Sequence, residues 1–350
     1  MNVHSRPKRP LHITATVAAL SLAALVAPTG SSANGIEHAN HHDAHGVRAE
    51  IQHGTLRVLG SGHADTVALR LAAGDPTHIE VDVGDDGSAD FSFPRDHVTA
   101  ITVRTGDGDD SARVDDANGA FTNSIPTTIA GGDGDDVLEG GQLQIAAENE
   151  TFKGGDGSDL VDGGKGNDTA YLGDGKDTFR WDNGEGSDVI EGQDGSDTLV
   201  FNGAPVAENV TLTANGGRLT FFRTQGNVTM DTDGVETVDF NPVGGADSIT
   251  VNDLTGTDVT QTNVDLAGTF GGIDPDDAAD TVVVNGTNGD DRIDVDSSES
   301  GTEVTGLATA VRVLHANRND SLSVNTLAGT DNVFVNGVAG LQLFVDGAAA

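Results

Sequence analysis

Residues Gly154 to Phe201 read GGDGSDLVD, GGKGNDTAY, LGDGKDTFR, WD, NGEGSDVIE, GQDGSDTLV and F. One nine-residue pattern occurs five times here, and only Trp181 and Asp182 interrupt the count. Glycine stands at the second and fourth positions, except at Gln193, with aspartate at the sixth and an apolar residue at the eighth. A flexible glycine-rich linker would not place an apolar residue two positions after every aspartate. The pattern therefore predicts a repeat architecture.

Each position of the pattern has a structural reason. Glycine adopts positive φ without a Cβ clash, which predicts a tight turn with its carbonyls facing inward. The last three residues predict a short strand whose central side chain points inward. These inward residues are Val161, Ala170, Phe179, Ile190 and Leu199. Two repeats then form one coil, so repeats one, three and five stack on one side and repeats two and four on the other.

The turns predict a metal site. Calcium takes six to eight oxygen ligands, and aspartate side chains with turn carbonyls from two stacked repeats would supply them. We expect about three such sites in the run, because each needs two stacked turns. The predicted aspartate ligands are Asp136, Asp156, Asp159, Asp168, Asp174, Asp177, Asp188, Asp194 and Asp197. The predicted glycine positions are Gly155, Gly157, Gly164, Gly166, Gly173, Gly175, Gly184 and Gly186.

Composition supports this prediction. The chain has 350 residues, 48 glycines, no cysteine and a formal net charge of −38. Such a charge repels nucleic acid and anionic membranes, which argues against both as partners. Without cysteine the chain cannot form stabilising disulfides, whereas each bound calcium ion would cancel two negative charges.

The chain divides into five regions. Residues 1–33 read as a secretory signal peptide of the general secretory type, which predicts an extracellular protein without membrane insertion. Residues 34–46 form a histidine-rich tract, interpreted as a disordered N-terminus, although a transition-metal site remains the alternative. We predict an N-terminal β region at 47–130, calcium-binding repeats at 131–201 and degenerate β-helical coils at 202–350. The four histidines of the tract are His38, His41, His42 and His45.

The flanks of the run keep its pattern in weaker form. GGDGDDVLE, from Gly131, is a complete copy of the repeat. From Gly140 to Lys153 the turn glycines are lost while Glu150 keeps the aspartate position, which suggests a coil with an insertion and a damaged ion site. Later strands read roughly D-x-U-x-V-N, with U apolar. Their final asparagines predict either a hydrogen-bonded ladder or ordinary turns.

At these residues the chain resembles the haemolysin-type calcium-binding repeat proteins of bacteria, also called RTX proteins. The resemblance is specific from Gly131 to Phe201 and looser on both sides. It implies an all-β fold, a right-handed parallel β-roll or β-helix solenoid with irregular flanking β coils. It also implies that the sixth-position aspartates are calcium ligands. A pore-forming region typical of the toxins is absent from the sequence, so lytic activity is not implied.

Three functions remain open. The leading hypothesis is a secreted, non-enzymatic calcium-binding protein whose β-roll is ordered by Ca²⁺. The second is a polysaccharide-active enzyme, a lyase, epimerase or hydrolase, for which Tyr171, Arg180 and Trp181 form the one suggestive cluster. The third is a structural surface or matrix adhesin. Self-association and binding to cell-surface or matrix glycans are the partner hypotheses beside calcium. No G-x-S-x-G or H-E-x-x-H motif occurs, and no catalytic residue is predicted.

Overall fold

Two long sheets of stacked strands run through the protein. The computed structural model describes residues 36–37, 46–143, 149–298, 300–338 and 340–350. The predicted signal segment and the four histidines of the N-terminal tract lie outside the described residues. Within that tract, Ile36–Glu37 pair antiparallel with Ile51 and Gln52.

Strands dominate the described residues. Short 3-10 helices lie at Arg95–His97, Asp116–Asn118 and Gln225–Asn227, and the described part contains no α-helix. It therefore also contains no helix long and apolar enough to cross a bilayer. In chain order the strands are β1 (Ile36–Glu37), β2 (Arg48–Gln52), β3 (Thr55–Leu59), β4 (Thr66–Ala72), β5 (Asp75–Val83), β6 (Phe91–Pro94), β7 (Ala100–Asp107), β8 (Ser111–Asp115), β9 (Thr127–Asp133), β10 (Val137–Glu139), β11 (Glu150–Gly157), β12 (Leu160–Asp162), β13 (Thr169–Gly175), β14 (Thr178–Trp181), β15 (Val189–Gly195), β16 (Thr198–Asn202), β17 (Asn209–Asn215), β18 (Arg218–Arg223), β19 (Val228–Asp233), β20 (Thr237–Asn241), β21 (Ser248–Val251), β22 (Gln261–Asp265), β23 (Thr281–Asn285), β24 (Arg292–Ser298), β25 (Gly301–Thr305), β26 (Ala310–Leu314), β27 (Ser321–Asn325), β28 (Asn332–Asn336), β29 (Gln342–Val345) and β30 (Ala348–Ala349).

The strands form sheet A, of 16 strands, and sheet B, of 14. From β9 to β16 the odd-numbered strands belong to sheet A and the even-numbered strands to sheet B. Each strand from β9 to β14 pairs in parallel with the strand two places further on, as Val161 does with Phe179 and Phe179 with Leu199. One coil therefore contains two strands, and the predicted parallel β-roll is confirmed.

The order of sheet A is β1-β2-β3-β7-β9-β11-β13-β15-β19-β18-β17-β21-β23-β27-β29-β30. The order of sheet B is β28-β24-β25-β26-β22-β20-β16-β14-β12-β10-β8-β4-β5-β6.

The core lies between the two sheets. All five predicted inward residues of the repeats, from Val161 to Leu199, are fully buried. Trp181, the chain's single tryptophan, is also fully buried and stacks on Phe201 with ring centroids 3.9 Å apart. Its indole N–H donates to the Gly186 carbonyl at 2.9 Å. The tryptophan thus packs where the repeat count is interrupted, and it is an internal fluorescence probe of the roll.

The C-terminal region departs from a simple solenoid. The predicted coils there are interrupted by two antiparallel meanders, β17–β18–β19 in sheet A and β24–β25–β26 in sheet B. In each meander, two short connections join three consecutive strands that lie side by side and antiparallel in one sheet. The parallel stack then resumes, for example from β21 through β23 to β27.

Asparagine side chains stack where strands end. Asn325 donates its amide to Asn285 at 2.9 Å, and Asn285 donates to Asn252 at the same distance. Asn241 likewise donates to Asn202. Of the two alternatives for these residues, the structure shows the hydrogen-bonded ladder.

Glycine is required in the turns because successive coils approach too closely for a side chain. A Cβ on Gly175, whose φ is +153°, would lie 1.6 Å from the carbonyl oxygen of Gly157 in the neighbouring coil. By contrast, a Cβ built on Gly216, whose φ is +67°, would have no atom within 4 Å.

We predict that Gly175→Ala lowers the free energy of unfolding by about 3 kcal/mol or more, since backbone must move to admit the methyl group. Gly216→Ala, the matched control, should cost only the backbone strain of about 1–2 kcal/mol. Urea unfolding in calcium, followed by Trp181 fluorescence, measures both. Equal losses in the two variants would contradict the close approach of the coils.

Candidate metal centres along the roll edges

The turns between the sheets stack along two edges of the roll. Turns from sheet A to sheet B form the first edge, and turns from sheet B to sheet A form the second. The turns of the first edge are Thr105–Asp110, Gly131–Asp136, Gly154–Asp159, Leu172–Asp177 and Gly192–Asp197. The repeat turns of the second edge are Gly163–Asp168 and Asn183–Asp188. Repeats one, three and five thus share one edge, as predicted.

An aspartate ladder joins the stacked turns. The backbone N–H of Asp136 donates to Oδ1 of Asp159 at 2.9 Å, and that of Asp159 donates to Oδ1 of Asp177 at 2.8 Å. On the second edge, the N–H of Asp168 donates to Oδ1 of Asp188 at 2.8 Å. Hydrogen bonds to ionised acceptors are stronger than neutral ones, so each carboxylate ties one coil to the next. Further steps of 2.7–3.0 Å on the first edge run from Asp65 to Asp110, from Asp110 to Asp136 and from Asp177 to Asp197.

In every aspartate of this ladder except Asp65, the other carboxylate oxygen is buried without a hydrogen-bond partner. An ionised carboxylate in this position is costly unless something compensates it. A file of hard cations would supply that compensation, because calcium prefers carboxylate and carbonyl oxygens. The donor set therefore fits calcium. The orphaned atoms are Oδ2 of Asp110, Asp136, Asp159, Asp177 and Asp197 on the first edge and of Asp168 and Asp188 on the second.

Stacked glycine carbonyls lie beside these carboxylates. On the first edge, a Cβ on Gly155 would meet the Gly132 oxygen at 1.9 Å, and one on Gly173 would meet the Gly155 oxygen at 2.0 Å. On the second edge, a Cβ on Gly164 would meet the Gly141 oxygen at 2.3 Å. The predicted glycines thus line both edges with backbone oxygens. Positive φ occurs at Gly155, Gly157, Gly164, Gly166, Gly173, Gly175 and Gly184, but not at Gly186.

Three predicted ligands face outward instead. Asp156, Asp174 and Asp194 are exposed and pair in register on β11, β13 and β15, forming one column on the outer surface. Each stands at the third position of its repeat, three residues before the ladder aspartate, where the chain is still in sheet A. The structure does not bring their side chains together with the buried oxygens. Only the sixth-position aspartates of the predicted set lie at the buried centres.

Burial changes the protonation of these groups. It raises the pKa of Asp159 and of Asp197 to about 7, and repulsion from neighbouring carboxylates adds to the effect. It likewise raises the pKa of Asp136 to about 6 and of Asp188 to about 7. Desolvation is the largest cause in each case, because a buried carboxylate loses the water that stabilises its charge.

The ladder also continues beyond the repeats. The N–H of Glu208 donates to Oδ1 of Asp247 at 2.7 Å, and the N–H of Asp247 donates to Oδ1 of Asp280 at 2.8 Å. Oε2 of Glu208 and Oδ2 of Asp247 are buried and orphaned. Sequence reasoning missed Glu208 and assigned Asp247 only to a strand. The available signal was the spacing of five residues from Gly203 to Glu208, as in the repeats.

Other ladder carboxylates are already satisfied. Oδ2 of Asp65 accepts the Ser61 N–H at 2.5 Å, and Oδ2 of Asp291 accepts the Thr287 N–H at 2.8 Å. A local N–H thus fills the place that a cation would take. The orphaned second oxygen, rather than ladder membership, marks the candidate metal centres.

A separate cluster of acidic side chains forms ion pairs with an arginine. Carboxylate oxygens of Asp162, Asp182 and Glu185 lie within 4.8 Å of one another. Arg180 pairs with Asp162 at 2.6 Å and with Asp182 at 3.6 Å, which neutralises part of their charge. Burial, with repulsion from Asp162, raises the pKa of Glu185 to about 9. The sequence places this arginine beside Trp181, but its role is an ion pair.

The comparison with family models agrees with the edge geometry. The model of the RTX calcium-binding nonapeptide repeat matches four copies, at residues 127–142, 146–179 and 183–203. This segment is an RTX calcium-binding repeat array. The matched residues contain all the sixth-position ligands predicted, from Asp136 to Asp197. A search of curated proteins found no match. The resemblance inferred from the sequence is thereby confirmed for these residues: the chain carries RTX calcium-binding repeats, which support calcium as its ligand.

The RTX array extends in geometry beyond its matched residues. Asp110, in the turn Thr105–Asp110, donates its N–H to Asp136 and has an orphaned Oδ2 of its own. The carbonyl oxygen of Gly108 lies 2.2 Å from the position of a Cβ built on Gly134, a close approach like those between glycines of the array. This turn is therefore the first ion-competent turn of the first edge.

We predict opposite effects of Asp177→Asn on calcium affinity and on calcium-free stability. The amide keeps an oxygen for the Asp159 N–H but loses the charge, so calcium affinity should fall by roughly tenfold, about 1.4 kcal/mol. Without calcium the variant should be more stable than the unchanged chain, since one buried charge is gone. Calcium titration calorimetry and calcium-free urea unfolding measure the two effects.

The control is Asp174→Asn, which removes an exposed aspartate three residues away. It should change calcium affinity by less than threefold, within the range of a screened surface charge. An equal loss in the two variants would show that the exposed column, not the buried ladder, binds the ion.

We predict that the calcium-free protein loses stability as pH rises. The folded-state pKa values of Asp159 and Asp197, about 7, lie above the ordinary value of 3.8. Their stabilising contribution is therefore complete below about pH 4 and is lost as pH rises through 7. Calcium should reverse the trend, because it binds the ionised carboxylates. Urea midpoints at pH 5 and pH 8, in calcium-free and in calcium-containing buffer, test both signs. Higher calcium-free stability at pH 8 would contradict the burial of unpaired carboxylates.

Proposed function

We propose that this protein is an exported, non-enzymatic calcium-binding protein whose roll becomes ordered or rigid when the ion binds. The observation that carries the proposal is the row of orphaned buried oxygens on both edges of the RTX array. At neutral pH these groups favour either a proton or a cation, and a cation would join two turns at once. The ion would supply only charge neutralisation and cross-linking of turns; the aspartate ladder and glycine carbonyls position the oxygens.

The charge of the chain supports coupling between folding and calcium. With a formal charge of −38 the chain repels itself, and the unfolded state offers no preformed cage. Any calcium that binds the folded state alone stabilises it by mass action. The working concentration range would be that of extracellular calcium modules, with dissociation constants around 10⁻⁴ to 10⁻³ M.

Export is the second part of the proposal. It is supported by the basic start, the apolar stretch and the small residues within positions 1–33 of the sequence. N-terminal sequencing of the protein from a culture supernatant tests it directly. The proposal predicts a mature chain that begins at Asn34; an intracellular chain that begins at Met1 would contradict export.

The surroundings of Tyr171, Arg180 and Trp181, the cluster that could have formed a sugar-binding site, support a non-enzymatic function. Trp181 is fully buried against Phe201 and is not available to stack on a sugar. Arg180 is held by Asp162. Tyr171 is exposed, with Lys153 as its cationic neighbour. These placements favour a structural reading of the cluster over a glycan subsite.

A calcium titration of the purified chain tests the proposal. We expect far-UV circular dichroism to gain β signal, and Trp181 emission to shift to shorter wavelength as the indole becomes buried, between about 10⁻⁴ and 10⁻³ M calcium. Magnesium at equal concentration is the control, because it requires a more rigid octahedral geometry and keeps its waters. Spectra that do not change with calcium would overturn the proposed coupling.

A further inference from the structure

A cavity of about 380 Å³ lies where three connections of the C-terminal coils meet. Its walls come from the β22–β23 connection, from the turn between β24 and β25, and from the end of β26. Strand pairing brings these segments together, because β26 pairs in parallel with β22 and antiparallel with β25. Small-molecule sites commonly enclose about 300–1,000 Å³, so the cavity has the size of a binding site.

His315 lines this cavity directly after β26 ends. Its Nδ1 lies 2.6 Å from Oδ1 of Asp265, the last residue of β22. A carboxylate only accepts hydrogen bonds, so Nδ1 carries the proton and Nε2 of the neutral ring is an acceptor. The φ of His315 is +51°, a conformation uncommon outside glycine that the surrounding structure must hold in place. The imidazole is thus fixed at the wall, and the described part of the chain gives Nε2 no hydrogen-bond partner.

Two serine hydroxyls line the same cavity, from the turn between β24 and β25. The Oγ atoms of Ser298 and Ser300 lie 2.8 Å apart, and the Ser300 N–H donates to Oγ of Ser298 at 3.2 Å. Each hydroxyl has one donor and two acceptor positions, so the pair keeps capacity for further hydrogen bonds. Both residues are exposed, and a ligand in the cavity could reach them.

Apolar side chains form another part of the wall. Ile273, Pro275 and Val313 line the cavity, and Ile273 is 76% exposed. Phe270, three residues earlier on the same connection, is 55% exposed. The cavity therefore offers apolar surface beside its hydrogen-bonding groups, as small-molecule sites generally do.

This combination of groups fits a neutral carbohydrate. None of the described residues that line the cavity carries a carboxylate, an ammonium or a guanidinium group with which a charged ligand would pair. Asp265 behind the imidazole and the formal charge of −38 also repel anions. A sugar ring presents hydroxyl groups along its edge and C–H groups on its faces. The edge matches the imidazole and the serine hydroxyls, and the faces match the apolar residues.

We propose that this cavity binds a short segment of a neutral glycan, with His315 accepting a hydrogen bond from a sugar hydroxyl. Ser298 and Ser300 supply further hydrogen bonds, and Asp265 positions the imidazole. The site lies outside the RTX array, and its chemistry does not require calcium. It would attach the exported protein to a polysaccharide surface, a role beyond calcium binding.

A histidine held by an aspartate beside serines also occurs in hydrolytic enzymes. That chemistry needs a hydrogen bond of about 2.6–3.2 Å between the nucleophilic hydroxyl and the base. Here the hydroxyls of Ser298 and Ser300 contact each other, and among the described residues neither bonds to His315. The geometry therefore favours binding over cleavage.

Saturation-transfer difference NMR tests the proposal, with the calcium-loaded chain and neutral oligosaccharides of glucose, galactose, mannose and N-acetylglucosamine as probes. At least one probe should bind. His315→Asn keeps a residue that tolerates positive φ and an N–H for Asp265, but it lacks Nε2. It should weaken binding roughly fivefold to tenfold, the effect of one lost hydrogen bond. The double variant Ser298→Ala with Ser300→Ala should weaken binding at least as much.

His78→Asn is the matched control, because Nδ1 of His78 lies 2.9 Å from Oδ2 of Asp75 in a similar pair elsewhere. It should leave the affinity unchanged. Trp181 emission in calcium should be the same in every variant, which shows that the roll remains folded.

The outcomes separate this site from the proposed function. If no probe binds, the glycan site is overturned and calcium binding is untouched. Binding that persists in both cavity variants, or that falls in His78→Asn, would place the sugar elsewhere and overturn the site as well. Release of new reducing ends that depends on His315 would contradict a site for binding alone. If His315→Asn fails to fold, the serine variant decides, since its two residues are exposed.

Discussion

In the RTX array, each coil is joined to the next by a backbone N–H that donates to a carboxylate of the neighbouring coil. This bond requires the aspartate side chain to turn inward along the stack, where its second oxygen loses contact with water. Within the RTX array the ladder thus stabilises the stack and at the same time leaves an unpaired buried carboxylate oxygen at each step. Calcium or a proton must balance that charge, because an isolated buried carboxylate costs several kcal/mol. The proposed calcium dependence follows from this single arrangement.

The close approach of the coils has the same origin. A ladder bond of about 2.8 Å brings the turns together so tightly that a Cβ at Gly155 or Gly175 would overlap a carbonyl oxygen of the next coil. Glycine is needed for space as much as for its positive φ. The same closeness aligns the carbonyl oxygens in columns, which provides neutral ligands beside the charged ones. Steric and electrostatic requirements therefore select one short sequence pattern.

Much of this could be predicted from the sequence, because a period of nine residues encodes both the turn and the inward side chain. Phe179 and Ile190 are buried where the pattern placed them, and the two-repeat coil is correct. The sequence could not distinguish Asp159 from Asp156, since both are aspartates within one turn; only their direction from the sheet does so. The antiparallel meanders were missed because their strands alternate like any other, and connection length alone does not fix strand direction. The N–H of Glu208 donates to Asp247, 39 residues further on, and the local spacing from Gly203 to Glu208 does not reveal that partner.

The most direct test of the account is hydrogen–deuterium exchange of the ladder amides, with and without calcium. The N–H groups of Asp136, Asp159 and Asp177 are buried donors to the next carboxylate, and their protection reports the ladder itself. At pH 8 we expect strong protection in millimolar calcium and its loss in calcium-free buffer, starting from these residues. Equal protection in both conditions would show that the buried carboxylates need no cation, and it would contradict the central claim.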